Sequence, residues 1–454
     1  MKLQWLYLSK TDIETERLQC REEGRDIAAL ESEFERVLAL DLEDLANQGA
    51  AQSLLDASIQ APMREEFAFD EPSDLAGIRA ARPQNAPQFP SLDLNSEHFA
   101  DKIYGAWTGR CAGCLLGKPV EGWRTPRLWG YLQDSGRWPL DNYFGSKGVS
   151  AEVVAKHEVD NPWVQSLLAE NLGFMPVDDD TNYTTIGMVI LEGYGRDFTP
   201  ANVADFWLKN VPLYDTCTAE RIAYRNFALN IAPPASATFR NPYREWIGAQ
   251  IRADGFAYGA AGNPELAAEF AWRDASISHV KNGIYGEMWA AAMVAAAFVC
   301  DDVSQIIEAG LAQIPQNCRL TRDVRQVLTW HTQGLSYDEA SAQIHKRWDE
   351  DNWHNWTHTN SNAAIVALGL LWGEDDFQTS VCRAVQAGFD TDCNGATVGS
   401  IIGAMHGRRA LPDKWTAPLN DRLKTGVAGL NDVKIGDLAA RTVDVARTIQ
   451  RDTV

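Results

Sequence analysis

The sequence predicts an all-α protein, a bundle of many short helices with an extension at its N-terminus. Three observations lead there. Apolar residues recur at helical intervals from His98 onward, strand-like alternation is sparse, and turns rich in Gly, Pro, Asn and Asp separate the segments. With 454 residues, 45% of them hydrophobic and 23% charged, the chain is long enough for a large helical core.

Residues 1–95 differ from the rest of the chain. Residues 14–60 are charged and helix-prone, with apolar residues at helical spacing, namely Ile27, Leu30, Phe34, Val37 and Leu38. Prolines 72, 83, 87 and 90 then interrupt the pattern, which is typical of an irregular, wrapping connector. We therefore predict an N-terminal extension over residues 1–95 that serves packing or subunit contact, and a main domain over residues 96–454.

Ten segments of the main domain have helical periodicity. They are Phe99–Leu116, Thr185–Tyr194, Val203–Leu208, Pro264–Trp272, Gly286–Val299, Val303–Ala312, Ser336–Arg347, Ala363–Trp372, Asp376–Ala387 and Ala396–Met405. Within and on either side of the last of these, Gly395, Gly399, Gly403 and Gly407 recur every four residues. Since each glycine lowers helix propensity, this ridge indicates that another backbone approaches closely behind it.

The composition excludes several classes of protein. A net charge of −21 argues against broad nucleic-acid binding, which needs a surplus of Lys and Arg. No apolar run is long enough to span a membrane, and the first residues lack the apolar core of a secretory signal. The eight cysteines are scattered, and the lone Cys111–Cys114 pair suits small core residues better than a zinc site. A cytoplasmic, reduced protein is expected.

Two acidic clusters carry the strongest chemical signal. Asp178, Asp179 and Asp180 precede one predicted helix, and Asp390 and Asp392 precede another. One interpretation is that each cluster only caps its helix, because Asp favours helix N-termini. A single cap, however, needs one such residue. Gathered carboxylates repel unless cations neutralise them, and Mg²⁺ and Mn²⁺ prefer oxygen ligands. We therefore predict that both clusters converge on one or two divalent ions.

Four segments resemble the motifs of the ADP-ribosylglycohydrolase family, in the order that the family has them. KIYGAWTGRCAGCLLGKPVEGW (102–123) resembles its opening Gly-rich helix and Gly-x-Pro-x-Glu turn, and VDDDTNYT (177–184) its first metal motif, usually Thr-Asp-Asp-Thr. SISHVKNGIYGEMWAAAMVAAAF (276–298) resembles its central Ser/Thr-His and Asn-Gly segment. GFDTDCNGATVGSIIGAMHG (388–407) resembles its second metal motif, usually Gly-Gly-Asp-Thr-Asp-Thr.

The resemblance implies an all-α catalytic domain with two Mg²⁺ or Mn²⁺ ions in a cleft, and hydrolysis of a bond at the anomeric C1 of a ribose. The implied metal ligands are Asp178, Asp179, Asp180, Asp390, Asp392 and Cys393, and Glu121 falls where some members carry a glutamate near the metals. Asp178 and Cys393 stand where the motifs usually have Thr, so the site is expected to be more negative or softer than the family norm.

Catalysis would need a carboxylate that moves protons near the metals. Glu121 or an aspartate of the first triplet, Asp179 or Asp180, could act as general base or acid. For Glu121 the alternative is a solvated turn residue. The expected substrate is an ADP-ribosyl conjugate or a smaller riboside. A non-catalytic member, as among eye-lens crystallins of this fold, and a metallo-phosphoesterase are the alternatives, and the oligomeric state stays open.

Four further residues are candidates for substrate contact. His279 could shuttle a proton or simply end a helix, and Asn282 with Gly283 could form a gripping loop or a plain turn before the Gly286 helix. Thr391 lies between the aspartates of the second cluster. The His- and Asn-rich segment 354–362 is predicted to be a polar loop at the cleft rim rather than a metal site.

Overall fold

The computed structural model describes residues 4–451 and confirms an all-α fold. The α-helices, in chain order, are α1 (Lys10–Glu22), α2 (Glu31–Leu38), α3 (Gln48–Ser58), α4 (Leu75–Ala81), α5 (Glu97–Gly117), α6 (Thr125–Asp134), α7 (Ala151–Lys156), α8 (Pro162–Ser166), α9 (Asp179–Tyr194), α10 (Pro200–Asn210), α11 (Thr218–Ala228), α12 (Ala235–Thr238), α13 (Ala253–Gly259), α14 (Pro264–Ala275), α15 (Lys281–Ala297), α16 (Val303–Leu311), α17 (Arg319–Thr332), α18 (Tyr337–Arg347), α19 (Trp353–Thr357), α20 (Thr359–Leu371), α21 (Phe377–Gln386), α22 (Thr391–His406), α23 (Asp413–Thr416) and α24 (Ile435–Gln450). All ten predicted segments are helical.

Short 3₁₀ helices and one small hairpin complete the secondary structure. The 3₁₀ helices are Gln4–Leu6, Ala28–Leu30, Leu45–Asn47, Lys118–Val120, Ala169–Asn171, Leu213–Asp215, Gln250–Arg252, Arg408–Ala410 and Ala417–Leu419. Strands β1 (Arg422–Lys424) and β2 (Asp432–Lys434) pair antiparallel, with Leu423 opposite Val433. Between residues 4 and 451, every helix is too short or too polar to cross a bilayer.

The core of the main domain surrounds α15. This helix is buried on all sides from Asn282 to Ala297, as expected of a helix that is apolar around its whole circumference. Helices α13, α14, α16, α20 and α22 pack against it. Its run of alanines leaves little side-chain bulk, which lets these neighbours come close on every side.

The N-terminal extension has a small apolar core of its own, formed by α1, α2 and α3 around Phe34, Val37 and Leu54. It is joined to the main domain by buried charge. Arg244 of the main domain is 1% exposed and pairs with Glu16, in the middle of α1, at 2.6 Å and with Glu23, just after its end, at 2.9 Å. Buried ion pairs thus join the extension to the main domain, and a role in packing or subunit contact stays a prediction.

The glycine ridge of α22 faces a second glycine ridge on α5. Gly113 lies on Gly395 and Gly109 on Gly399, and the two helices run antiparallel. A Cβ added at Gly113 would overlap the carbonyl oxygen of Gly395. The close backbone approach expected from the sequence is therefore present, and its partner is the opening helix of the domain.

We expect Gly113→Ala to destabilise the protein by about 1–3 kcal/mol, because a rigid backbone atom, not a side chain, would have to move. Gly49→Ala in α3 is the matched control. A Cβ there meets no atom within 4 Å, so that variant should gain up to about 1 kcal/mol from helix propensity. Thermal unfolding midpoints of both variants test this, and equal midpoints would contradict the tight contact.

Candidate metal centre

Three helix ends meet at the acidic clusters. The C-terminal end of α5 leads through the 3₁₀ turn Lys118–Val120 to Glu121, while Asp178 and Asp390 are the N-cap residues of α9 and α22. The partial positive charge at two helix N-termini favours carboxylates there. Segments more than 200 residues apart in the sequence therefore deliver their acidic residues to one place.

The structure brings Asp178 and Asp180 of the first acidic cluster close to Asp392 of the second, whereas Asp179 is in neither of the two groups described next. Ligand atoms of Cys114, Asp178, Asp180 and Asp392 all lie within 4.8 Å of one another, and those of Asp390, Asp392 and Cys393 do so as well. We call these the first and second ligand groups. Because Asp392 belongs to both, they form one continuous centre.

Two buried carboxylate oxygens in this centre have no hydrogen-bond partner among the described residues, Oδ2 of Asp180 and Oδ1 of Asp392. Asp254 and Glu287 also have unpartnered carboxylate oxygens, but those face Arg110 and Arg252. The two in this centre lie among other carboxylates, where a bound cation would neutralise them. The other oxygen of Asp180, Oδ1, accepts a hydrogen bond from Arg110 at 3.0 Å. The donor set is mostly carboxylate oxygen, so it fits a hard divalent cation such as Mg²⁺ or Mn²⁺.

The two N-cap residues differ in how they use their side chains. Asp178 Oδ1 accepts the backbone N–H of Asp180 at 2.9 Å, and Oδ2 accepts from the ammonium of Lys118, so both oxygens are occupied. Asp390 makes no capping hydrogen bond with its side chain. The simple capping interpretation therefore describes Asp178 but not Asp390.

Crowding of like charge raises the pKa of most of these carboxyls. Burial, followed by the charges of Asp178 and Asp392, raises the pKa of Asp179 to about 7. Burial and Asp178 raise the pKa of Asp392 to about 6. The charge of Asp392, followed by burial, raises the pKa of Glu121 to about 9. Burial would also raise the pKa of Asp178, but the adjacent Lys118 ammonium holds it below its usual value.

These pKa shifts predict how the metal-free protein responds to pH. Asp179 and Asp392 keep their protons in the folded state above the pH at which they lose them in the unfolded chain, so their contribution to stability is lost as pH rises through about 6 to 7. Glu121 is exposed, so solvent screens its charge and it adds little to this pH dependence. The unfolding midpoint measured in EDTA should fall between about pH 5 and 8, and saturating Mg²⁺ should remove that fall. A flat or rising profile in EDTA would contradict it.

The start of α22 is held by groups outside the acidic motifs. Asn362 Oδ1 accepts the backbone N–H of Asp390 at 3.1 Å and the side-chain amide of Asn394 at 2.9 Å. Gly388 and Phe389 precede the helix with φ of +84° and +57°. Phe389 stands where the family motif usually has Gly, so a bulky residue here adopts a left-handed conformation that costs about 1–2 kcal/mol.

Two of the predicted substrate residues, Thr391 and His279, make hydrogen bonds within the protein. Thr391 donates its hydroxyl to the carbonyl of Gly117 at 2.9 Å and so joins α22 to the end of α5. His279 is fully buried, with Nδ1 2.8 Å from the Ser278 hydroxyl. Substrate contact by these two residues stays a prediction.

Asn282 and Gly283 do not form a loop, so that expectation is wrong. Both lie in the first turn of α15, and Asn282 is fully buried. Its amide donates to Glu71 at 2.8 Å and to Glu245 at 3.1 Å, while its Oδ1 accepts the backbone N–H of Leu320. Because the side chain of Asn282 is held by these long-range hydrogen bonds, it does not make the local hydrogen bonds to its own backbone that stabilise a turn.

Segment 354–362 is also helical rather than a loop, being divided between α19 and α20. His354 and His358 approach Glu22 through Nε2 at 3.0 and 3.3 Å. Nδ1 of His354 accepts the indole N–H of Trp246, and Nδ1 of His358 accepts the backbone N–H of Asn360. Each neutral ring therefore carries its proton on Nε2, which cannot then bind a metal. This trio joins α1 to the main domain.

Sequence reasoning missed Arg110 and Lys118, which shape the centre, and included Asn362 only as part of segment 354–362. Arg110, fully buried in α5, pairs with Asp180 and, at 2.8 Å, with Asp254. Lys118 pairs with Asp178, and Asn362 positions Asp390. The sequence shows Lys118 within the opening motif, but it does not show that Asp178 is its partner.

Comparison with known proteins agrees with the resemblance noted in the sequence. The profile of the ADP-ribosylglycohydrolase family matches residues 95–449, and no curated protein matches the chain. A solved structure described as an ADP-ribosylglycohydrolase-related protein complex is similar, at 19% identity and a TM-score of 0.47, over 78% of this chain and 100% of that one. The family assignment depends on the profile match, which spans most of the sequence. The chain belongs to the ADP-ribosylglycohydrolase family.

Proposed function

We propose that the protein is a hydrolase dependent on divalent metal that cleaves an N- or O-glycosidic bond at C1 of a ribose, in an ADP-ribosyl conjugate or a smaller riboside. Membership in a glycohydrolase family supports the reaction class. The observation that carries the metal dependence is the pair of buried, unpartnered carboxylate oxygens on Asp180 and Asp392, where two acidic clusters converge.

The residues that would hold metal are Asp180, Asp390 and Asp392, with Asp179 at the solvent side. A bound divalent ion would supply electrostatic stabilisation and orient ribose hydroxyls. Within the centre, Asp179 is half-buried and Glu121 is exposed, while Asp180, Asp390 and Asp392 are buried. Asp179 and Glu121 are thus the carboxyls that substrate and water can reach, and we assign them the proton transfers.

An aromatic surface beside the centre supports a substrate that contains a base. Trp353 is 45% exposed, and its ring stacks on that of Trp356 at 4.7 Å. The guanidinium of Arg124, three residues after Glu121, lies 5.5 Å from the ring of Trp353. Asn362, which holds Asp390, also donates to the carbonyl of Trp356. A planar base and a phosphate would both find favourable contacts there.

The test is product identification. Protein stripped with EDTA and reloaded with Mg²⁺ or Mn²⁺ is incubated with ribosides, ADP-ribosyl conjugates and phosphoesters. We expect release of ribose or ADP-ribose only with metal. Phosphate release without C1 cleavage would favour the phosphoesterase, and metal binding without turnover of any substrate would favour a non-catalytic member.

Metal preference tests the role of Cys393. Its side chain is in the second ligand group, and burial raises the pKa of the thiol well above its usual value, so it is neutral. If the sulfur contacts metal, Mn²⁺ should support turnover at least as well as Mg²⁺, and Cys393→Thr should shift the preference towards Mg²⁺. Cys382→Thr, a buried cysteine in α21, is the control. Identical Mn²⁺/Mg²⁺ ratios in Cys393→Thr and the parent protein would exclude Cys393 as a ligand.

A further inference from the structure

The ammonium of Lys118 lies inside the first ligand group. Its Nζ bonds to Asp178 Oδ2, and the side chain is only 12% exposed. Burial would lower the pKa of Lys118, but the charges of Asp178 and then Asp392 raise it above its usual value, so the ammonium stays charged. The first ligand group therefore already contains a monovalent cation supplied by the chain.

The second ligand group has no such cation. Asp390, Asp392 and Cys393 make no ion pair with Lys or Arg within residues 4–451. Asp390 also has no capping bond, and Oδ1 of Asp392 has no partner. The two ligand groups, although they share Asp392, thus differ in what neutralises them.

The charge of Asp178 is already neutralised within the chain, by Lys118. The two oxygens of Asp178 are bonded to Lys118 and to the backbone N–H of Asp180, and its side chain is fully buried. A divalent ion in the first ligand group would have to displace Lys118 or lie against it, and like charges at such short range repel strongly when water is excluded.

We propose that the Lys118 ammonium takes the place of one cation, so that this centre binds a single divalent ion, held by Asp390 and Asp392 of the second ligand group together with the unpartnered oxygen of Asp180. The proposal depends on the metal dependence proposed above and specifies its stoichiometry. Lys118 is a positioning residue here: it neutralises Asp178 and confines the ion to Asp180, Asp390 and Asp392.

Mn²⁺ binding to the full-length protein tests the stoichiometry without any substrate. Equilibrium dialysis with metal analysis should give one Mn²⁺ per chain, and electron paramagnetic resonance should give the six-line spectrum of an isolated ion. Two ions about 4 Å apart, the spacing of two-metal sites, would instead give a spin-coupled spectrum. Two Mn²⁺ in the parent protein would overturn the proposal and leave the proposed function standing. No bound Mn²⁺ would overturn both.

Lys118→Met removes the ammonium and keeps the apolar stem. We expect it to bind a second Mn²⁺ with a coupled spectrum. Since this variant leaves Asp178 unpaired, Lys118→Met/Asp178→Asn removes both buried charges, and Asn retains the helix cap and an oxygen ligand. Lys147→Met, at an exposed lysine, is the control and should bind one ion. A single ion in both Lys118 variants would overturn the role of Lys118.

Discussion

Asp392→Asn is expected to lower turnover by more than about a hundredfold and to abolish tight metal binding. Asp392 belongs to both ligand groups and has an unpartnered buried oxygen. Replacing residues that merely support a metal ligand already costs about 10–100-fold, so loss of the shared ligand should cost more. Steady-state turnover and Mn²⁺ titration on the same preparation provide the measurement.

The same substitution should not unfold the protein. In EDTA the variant loses a buried carboxyl that is crowded by Asp178, so its unfolding midpoint should equal or exceed that of the parent protein. Asp376→Asn is the matched control, because Asp376 is an exposed N-cap and Asn caps a helix equally well. Full activity of Asp392→Asn would show that turnover does not depend on a metal bound at this centre.

Arg244→Met should destabilise the protein by about 3–5 kcal/mol, because it leaves Glu16 buried without a cation. Lys281 and Arg25 remain near Glu23, so the loss falls mainly on Glu16. The expected readouts are a lower midpoint of chemical unfolding and faster proteolysis within residues 1–95.

Arg240→Met provides a matched comparison across the same interface. Arg240 pairs with Asp56 at 2.7 Å, but both side chains are partly exposed, so its loss should cost about 0–1 kcal/mol. Turnover per folded molecule should stay unchanged in both variants, as expected if residues 1–95 carry no catalytic group. Equal loss of stability in the two variants would show that the buried Arg244 pair contributes no more than the exposed Arg240 pair to holding residues 1–95 against the main domain.

The sequence predicted the helical architecture well because periodicity and capping are local. The clusters at Asp178–Asp180 and Asp390–Asp392 could be joined by a general argument, since like charges require a shared cation. The roles of Lys118 and Arg110 could not be predicted in this way, because the sequence does not reveal which carboxylate a basic residue will contact.

The error at Asn282 has a related cause. Asn-Gly is a strong local signal for a turn, but the amide of Asn282 finds three tertiary partners that no local window contains. Likewise α11, α17 and α24 lie outside the predicted set, although each has an apolar face. Long-range burial, rather than propensity, decides such segments.

The paired glycines of α5 and α22 also fix how far the end of α5 lies from the start of α22, and so the spacing of the charged groups in the candidate metal centre. Each glycine meets its counterpart at four-residue steps, so the helices can only fit together one whole turn at a time. A slip by one turn would move Lys118 and Glu121 by about 5.4 Å relative to Asp390 and Asp392, which is more than the reach of a metal–oxygen bond. The glycine faces of the two helices thereby determine the distance between charged residues that are about 270 positions apart in the sequence.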